Sequence, residues 1–374
     1  MKEKINILFL VHGFEVGGVE RSNVLMINEI NKKKFNVYVL YISEGLLMDD
    51  LNLDRVAIEK LGDKFKLKSI SNIKYILKII RYIKRNNIDI VHTIDPILYM
   101  IGSIAAHFTK IGHVRTQPNF IRRHEKLNAR TLNVLPFEKW SDKYITYNHA
   151  SNKDLQLAGV ASEKIETVYG FQKLKDNLMF NNLKDIKDEF NIPKSNKIIL
   201  AMHRMVPQKG FETFIEMIPH IVKEYEDVCF LLVGDGPLRT ELESKVEKLK
   251  IDKYVRFIGF RKDIVNIAKQ VDFGVYPLAD TAGMTIVFNV GKVLITKKNS
   301  SMDEYINDGV TGYLTPDDDP KTYASYSLRL LKDEKLLRNM ESKQREYTLE
   351  YLDGKKNMEK FEDILITLCE KKRV

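Results

Sequence analysis

The sequence predicts two consecutive α/β units, each a parallel sheet doubly wound by helices on both faces. Three observations carry that prediction. The chain is 374 residues long, about twice the length of an ordinary domain. Short runs rich in β-branched residues alternate with longer segments of helical periodicity. The alternation pauses at a polar stretch, residues 181–196 with Pro193 inside it, and then starts again.

In chain order, residues 5–12 form a mostly apolar run ending in a glycine-containing loop, and 19–32 have helical periodicity. Further strands are expected at 36–41, 88–93, 112–116, 143–147 and 165–169, with amphipathic segments between them. After the seam, strands at 197–202, 228–233, 254–258, 273–276 and 293–296 accompany helices at 211–224 and 238–249. Residues 321–374 read as helical and highly charged. The expected domains are 1–190 and 191–350, followed by a closing helix, 351–374, that packs back on the first domain.

Composition narrows the class. A hydrophobic fraction of 44% is ample for two cores, and 30% charged residues is ordinary for a solvated surface. Cys229 and Cys369 are too few and too scattered for a disulfide framework or a metal site, so a reducing cytoplasm is expected. The N-terminal apolar run is too short for a signal peptide, and no stretch approaches the roughly 20 apolar residues that span a bilayer. A soluble or peripheral protein follows. The net charge of +9 is uneven: residues 1–190 hold 30 Lys/Arg against 22 Asp/Glu, and the remainder 30 against 29. Electrostatic attraction therefore belongs to the first half.

Two loops carry candidate chemistry. The first, Gly13-Phe14-Glu15-Val16-Gly17-Gly18-Val19-Glu20, follows the first strand. Its glycines permit close backbone approach to a ligand, with helix-end amides available to an anion; the alternative is a tight strand-to-helix turn. The spacing is not G-x-G-x-x-G, which argues against a nicotinamide-dependent dehydrogenase. The second loop, His203-Arg204-Met205-Val206-Pro207-Gln208-Lys209-Gly210, follows the first strand of the second half. Arg204 and Lys209 can converge there on a diphosphate, one as a planar fork and the other as a point charge. A helix, a strand and then Gly234-Asp235-Gly236-Pro237 come next.

With these motifs the chain resembles the GT-B glycosyltransferases of family 4, which carry a G-R-x-x-x-x-K-G loop and a GDGP turn. The resemblance covers nearly the whole chain, from Gly17–Glu20 through Val255-Arg256-Phe257-Ile258-Gly259-Phe260 to Asn307-Asp308-Gly309-Val310-Thr311-Gly312-Tyr313-Leu314. Each piece alone is weak; their order and spacing together are specific. The resemblance implies two Rossmann-like domains facing across a cleft. The second would bind a nucleoside-diphosphate sugar and the first a glycan or lipid-linked acceptor, with Gly17 and Gly18 on the substrate side. It implies transfer with retained anomeric configuration, with no cofactor beyond the sugar nucleotide as co-substrate, no metal and no nucleic-acid partner. Arg204 and Lys209 would stabilise the departing diphosphate, and the amides of Gly283, Met284 and Thr285 would face phosphate.

Several positions depart from the family pattern. His203 stands where the first glycine of the loop is usual. The family's E-x7-E element aligns, through Gly283, with Asp280 and Phe288, and about two residues are missing before Gly291. Asp280 would contact the sugar. Phe288 cannot accept a ribose hydrogen bond, although Asp303 or Glu304 can be brought nearby by a shifted loop. Glu304 itself lies near the place where the family carries an acid after its sugar loop. The first domain lacks the T-x-H histidine, offering Gln117 and Asn119 instead, while His92 and His149 follow other strands. A GT-B scaffold that binds without catalysing is the competing reading. Asp317, Asp318 and Asp319, set between Pro316 and Pro320, read as a solvated turn rather than a cation site.

One feature lies outside these motifs. Between Lys64 and Arg85 there are eight Lys/Arg and no Asp/Glu. Lys74, Lys78, Arg81 and Arg85 recur at helical spacing beside the apolar stripe of Ile73, Ile76, Leu77, Ile80 and Ile83. Such a helix rests on an anionic membrane surface, at the inner face of the membrane, or packs on the core with a solvated basic face.

Overall fold

The computed structural model describes residues 4–373 apart from 16, 63–70, 118–134, 172–183, 208, 278–285 and 300–301. The chain divides into two units, Met1–Gln172 with Gly354–Val374, and Lys173–Asp353. Each is built on one parallel sheet.

The first unit has seven strands: β1 (Ile5–Gly13), β2 (Phe35–Ser43), β3 (Val56–Lys60), β4 (Ile90–Thr93), β5 (Gly112–Gln117), β6 (Lys143–Thr146) and β7 (Ile165–Thr167). Their order is β3-β2-β1-β4-β5-β6-β7. In β1, Phe9 pairs with Val39 on one side and His92 on the other. The order reverses between β1 and β4, and ligands of doubly wound sheets collect at the strand ends beside such a reversal. Ile7 through Val11 are all buried, because helices cover both faces and an alternating pattern would bury polar groups. The helices are α1 (Gly18–Glu29), α2 (Ser71–Arg85), α3 (Pro96–Thr109) and α4 (His149–Leu157). Asp95 starts α3 by accepting from the Ile97 and Leu98 amides at 2.8 and 3.1 Å, with Pro96 at the first helical position.

In the second unit, β8 (Lys197–Met202), β9 (Val228–Val233), β10 (Val255–Phe257), β11 (Phe273–Tyr276), β12 (Val293–Lys297) and β13 (Gly312–Thr315) take the order β10-β9-β8-β11-β12-β13. Its helices are α5 (Ile186–Glu189), α6 (Phe211–Val222), α7 (Arg239–Lys248), α8 (Ile264–Gln270), α9 (Pro320–Lys332) and α10 (Glu334–Tyr351). The chain closes with α11 (Gly354–Arg373), which belongs to the first unit. Phe361, Leu365 and Leu368 of α11 enter the core formed by Phe9, Ile90 and Val114. Buried Glu362 accepts from the Asn31 amide at 2.8 Å and from Lys34 Nζ at 3.0 Å. Lys372–Asp142 and Arg373–Asp89 pairs fix the helix end.

The seam falls at 172/173 rather than at 190, and the second unit runs to Asp353 rather than 350. Residues 184–190 are tied to the second sheet's surroundings. The Ile186 amide donates to Gln270, Glu189 pairs with Arg261 at 2.8 Å, and Arg256 donates to the Phe190 carbonyl. Polarity marks the linker in the sequence, but it does not mark where docking resumes. Neither β3 nor β13 is anticipated by the sequence pattern. Both are sheet-edge strands whose sequences, VAIEK and GYLT, carry no continuous β-branched run.

Candidate active site

The loops at the carboxyl ends of β8, β9 and β10 are knit together by backbone hydrogen bonds. The His203 amide donates to Val233 O at 3.1 Å, Met205 N to Asp235 O at 2.9 Å, and Gly234 N to Gly259 O at 2.8 Å. Met205 is a buried plug in the core. Gly234 has φ +128°, and a Cβ there would lie 1.9 Å from the His203 carbonyl oxygen, so only glycine allows this approach. His203 itself has no left-handed backbone. Its Nδ1 accepts from the Arg204 amide at 2.8 Å, so a side chain at this position is accommodated within the loop.

Arg204 leaves this scaffold exposed, and its side chain forms no ion pair among the described residues. Lys209 is half-buried at the other end of the loop. Gly210 follows with φ +76°, and a Cβ there would come within 2.4 Å of the Pro277 carbonyl. It caps α6 without any side-chain hydrogen bond to the first turn. Amides at an uncapped helix start carry partial positive charge, and with Lys209 adjacent the loop is suited to a polyanion.

Of the other donor-side candidates, Asp280, Gly283, Met284 and Thr285 lie outside the described residues. Glu304 is half-buried on a short turn between β12 and β13, and its carbonyl accepts from the Tyr347 hydroxyl. Phe288 sits on a single helical turn, 286–289, fully buried, its ring stacked on Tyr305 at 6.2 Å and 8°. It is a core residue. Asp317, Asp318 and Asp319 serve the fold: Asp318 pairs with Lys297, Asp319 caps α9, and Asp317 accepts from the Asp319 amide. Among the described residues no group of three or more His, Cys, Asp or Glu is arranged to hold a metal.

In the first unit, Gly17 caps α1 with an extended backbone, and a Cβ on it would meet a Glu20 carboxylate oxygen at 2.1 Å. Glu20 thus folds back over the helix start, while Gly18 is exposed at the first helical position. His92 is buried edge-on between Phe9 and Phe361, with Nε2 2.8 Å from Thr116 Oγ1. Burial pushes its pKa down to about 3, which makes it a neutral core histidine. His149 is exposed at the start of α4, 3.3 Å from Thr167 Oγ1. Gln117 ends β5 and accepts from Arg115 Nη2 at 2.6 Å; Asn119 lies outside the described residues. Sequence reasoning passed over His113 and Arg115, both buried on one face of β5. Their signal was present as basic residues at alternate positions inside a strand.

The basic helix divides its cations. Lys78 donates to the Lys60 and Leu61 carbonyls, and Arg85 pairs with Glu59 at 2.8 Å over the Tyr82 ring. Those two brace the β3 edge. Lys74, Arg81 and Lys84 are exposed beside Ile73 and Leu77, which are 56% and 44% exposed. Among the described residues no helix is long and apolar enough to cross a membrane.

Two parallel sheets with this loop at the end of β8 define a Rossmann-like glycosyltransferase architecture, and comparison with known proteins agrees. Residues 183–347 match the model for glycosyl transferases group 1, and residues 16–171 match the one for glycosyltransferase family 4. The chain belongs to the GT-B glycosyltransferases of the family 4 type. It is similar to the N-acetyl-alpha-D-glucosaminyl L-malate synthase of Bacillus anthracis, at 27% identity over 60% of this chain and 59% of that protein. It is also similar to the UDP-Gal:alpha-D-GlcNAc-diphosphoundecaprenol alpha-1,3-galactosyltransferase of Escherichia coli, at 22% identity over 94% of both. Anabaena Alr3699/HepE, solved in complex with UDP and glucose, shares the fold with a TM-score of 0.83 at 17% identity, over 96% of this chain and 99% of that one.

Proposed function

We propose that this glycosyltransferase moves a sugar from a uridine-diphosphate donor to a glycan or lipid-linked acceptor, retaining the anomeric configuration. The observation that carries the reading is the exposed Arg204, without an ion pair among the described residues, on a loop that ends at the uncapped start of α6. In the reaction the bond from the sugar's anomeric carbon to the diphosphate breaks, and one from that carbon to an acceptor hydroxyl forms. The diphosphate departs with the bonding pair and takes up the acceptor hydroxyl's proton, and Arg204, Lys209 and the α6 amides are suited to stabilise the charge that develops. Asp280 contacts the sugar, the amides of Gly283, Met284 and Thr285 face phosphate, and Glu304 completes the donor side. Gly17 and Gly18 border the acceptor. No cofactor or metal is called for.

The acceptor class draws support from the Escherichia coli relative, whose name specifies a diphosphate-linked lipid acceptor. The exposed face of α2 supports peripheral attachment to an anionic membrane at its cytoplasmic side, through Lys74, Arg81 and Lys84 with Ile73 and Leu77 inserted. The test is release of UDP from a panel of UDP-sugars, with and without a diphosphate-linked lipid acceptor. Acceptor-dependent release with the product's configuration retained is expected. UDP binding without any release would favour the non-catalytic scaffold.

A further inference from the structure

Among the described residues of the first unit, one buried charge has no paired carboxylate. Arg115, on β5, is 3% exposed. Its guanidinium lies over the Tyr99 ring, 4.0 Å from the centroid, and Nη2 donates to Gln117 at 2.6 Å. Nε and Nη1 have no hydrogen-bond partner among the described residues. No carboxylate pairs with it among those residues. Asp95, whose field reaches it, is committed to capping α3. The Tyr99 and Tyr144 hydroxyls bond to each other at 2.8 Å, and nearby His113 is held between Ser141 and Thr93.

A guanidinium removed from water without a counterion is among the most costly arrangements a core can hold, and a ring face, the Tyr99 hydroxyl and one amide oxygen offset only part of it. Unsatisfied buried polar groups in native folds call for a cause, and a bound ion is one. The position of Arg115 points the same way. It lies two residues before the carboxyl end of a central strand, the end at which doubly wound sheets take ligands. Gln117, which it holds, ends that strand and is half-buried.

We infer that Arg115 is an anchor for an oxyanion, a phosphate or carboxylate group, that enters at the carboxyl end of β5 and takes the free Nε and Nη1 edge. Resting on the proposed reading of the first unit as the acceptor domain, the oxyanion belongs to the acceptor, and Arg115 positions it.

The test uses the full chain carrying Arg204→Ala, so that anion binding at the donor loop is weakened, with pyrophosphate and citrate as probes. Thermal unfolding of this protein is expected to shift upward by about 3–6 °C at a tenfold excess of probe over its Kd. The probe that acts assigns the oxyanion to phosphate or carboxylate. Adding Arg115→Met should abolish the shift, and without anion it should melt no lower than its parent, because an uncompensated charge has been removed. A purely structural arginine gives the reverse: a markedly lower melting temperature and an unchanged anion response. Should the methionine variant fail to fold, Arg115→Lys serves, with a point charge that loses the fork geometry and at least tenfold of probe affinity. If neither probe shifts the Arg204→Ala protein, the anchor is refuted whatever the transferase assay shows.

Discussion

The substitution Gly234→Ala isolates how tightly the donor loop is built. The new Cβ would fall 1.9 Å from the His203 carbonyl oxygen and 2.9 Å from its carbon, both backbone atoms that cannot swing aside. The backbone angle of +128° adds strain, since that region is essentially reserved for glycine and costs another residue about 1–3 kcal/mol. Relief requires moving the β8 loop, which strains the bonds from His203 N to Val233 O and from Gly234 N to Gly259 O. At about 0.5–1.5 kcal/mol for each bond lost, a total destabilisation of about 2–6 kcal/mol is expected. Arg204 follows His203 directly, so UDP affinity should fall at least tenfold. Gly259→Ala is the control. It is also left-handed, at +70°, but its Cβ would meet only the flexible Arg239 guanidinium at 3.5 Å, so about 1–2 kcal/mol is expected. Urea unfolding and titration calorimetry read both effects. If Gly234→Ala costs no more than Gly259→Ala and leaves UDP binding intact, the interlocked loop is not what presents Arg204.

Other consequences follow from particular contacts. His92 and His113 are held neutral by burial, both with pKa values lowered from 6.5 to about 3. Their contribution is fully present above about pH 6.5 and is lost as pH falls toward 3, with a slope of up to about 1.4 kcal/mol per pH unit for each. His92→Gln should flatten the urea midpoint's decline between pH 6 and 4, and a slope equal to wild type would refute the assignment. Phe361→Ala should destabilise the first unit by about 3–5 kcal/mol, although the residue lies 13 positions from the chain end; a loss below about 1 kcal/mol would show that α11 is not part of that core. On α2, Lys74→Gln with Arg81→Gln should reduce sedimentation with phosphatidylglycerol vesicles, whereas Lys78→Gln should lower stability and leave sedimentation unchanged. Equal sedimentation with neutral and anionic vesicles would leave α2 a solvated face.

The fold was legible in the sequence because parallel strands covered on both faces are near-continuous apolar runs, as in Ile7–Val11 and in β9. The return of the last helix to the first domain was expected, but its contacts were not legible, since Phe361 meets His92 and Phe171 and Glu362 meets Asn31 and Lys34, all far away along the chain. Motif order located the Arg204–Lys209 loop, which lies between β8 and α6. What the sequence misjudged were residues whose orientation depends on packing. Phe288, aligned with a ribose-binding acid, is stacked on Tyr305 inside the core, a contact the sequence did not show. Lys78 and Arg85 belonged by spacing to one basic stripe, yet the neighbouring β3 edge, itself unmarked in the pattern, takes both. Arg115 was passed over although it and His113 occupy alternate positions inside a strand, because that spacing does not say whether their shared face is buried.

The central claim is that the loop between β8 and α6 holds the diphosphate of a nucleotide-sugar donor. Calorimetric titration of UDP into wild type, Arg204→Ala and Lys209→Ala tests it most directly. Each substitution should cost about 1.5–3 kcal/mol, the scale of hydrogen bonds to charged groups, or roughly one to two orders of magnitude in Kd. UDP binding with the same affinity in both variants as in wild type would contradict the claim.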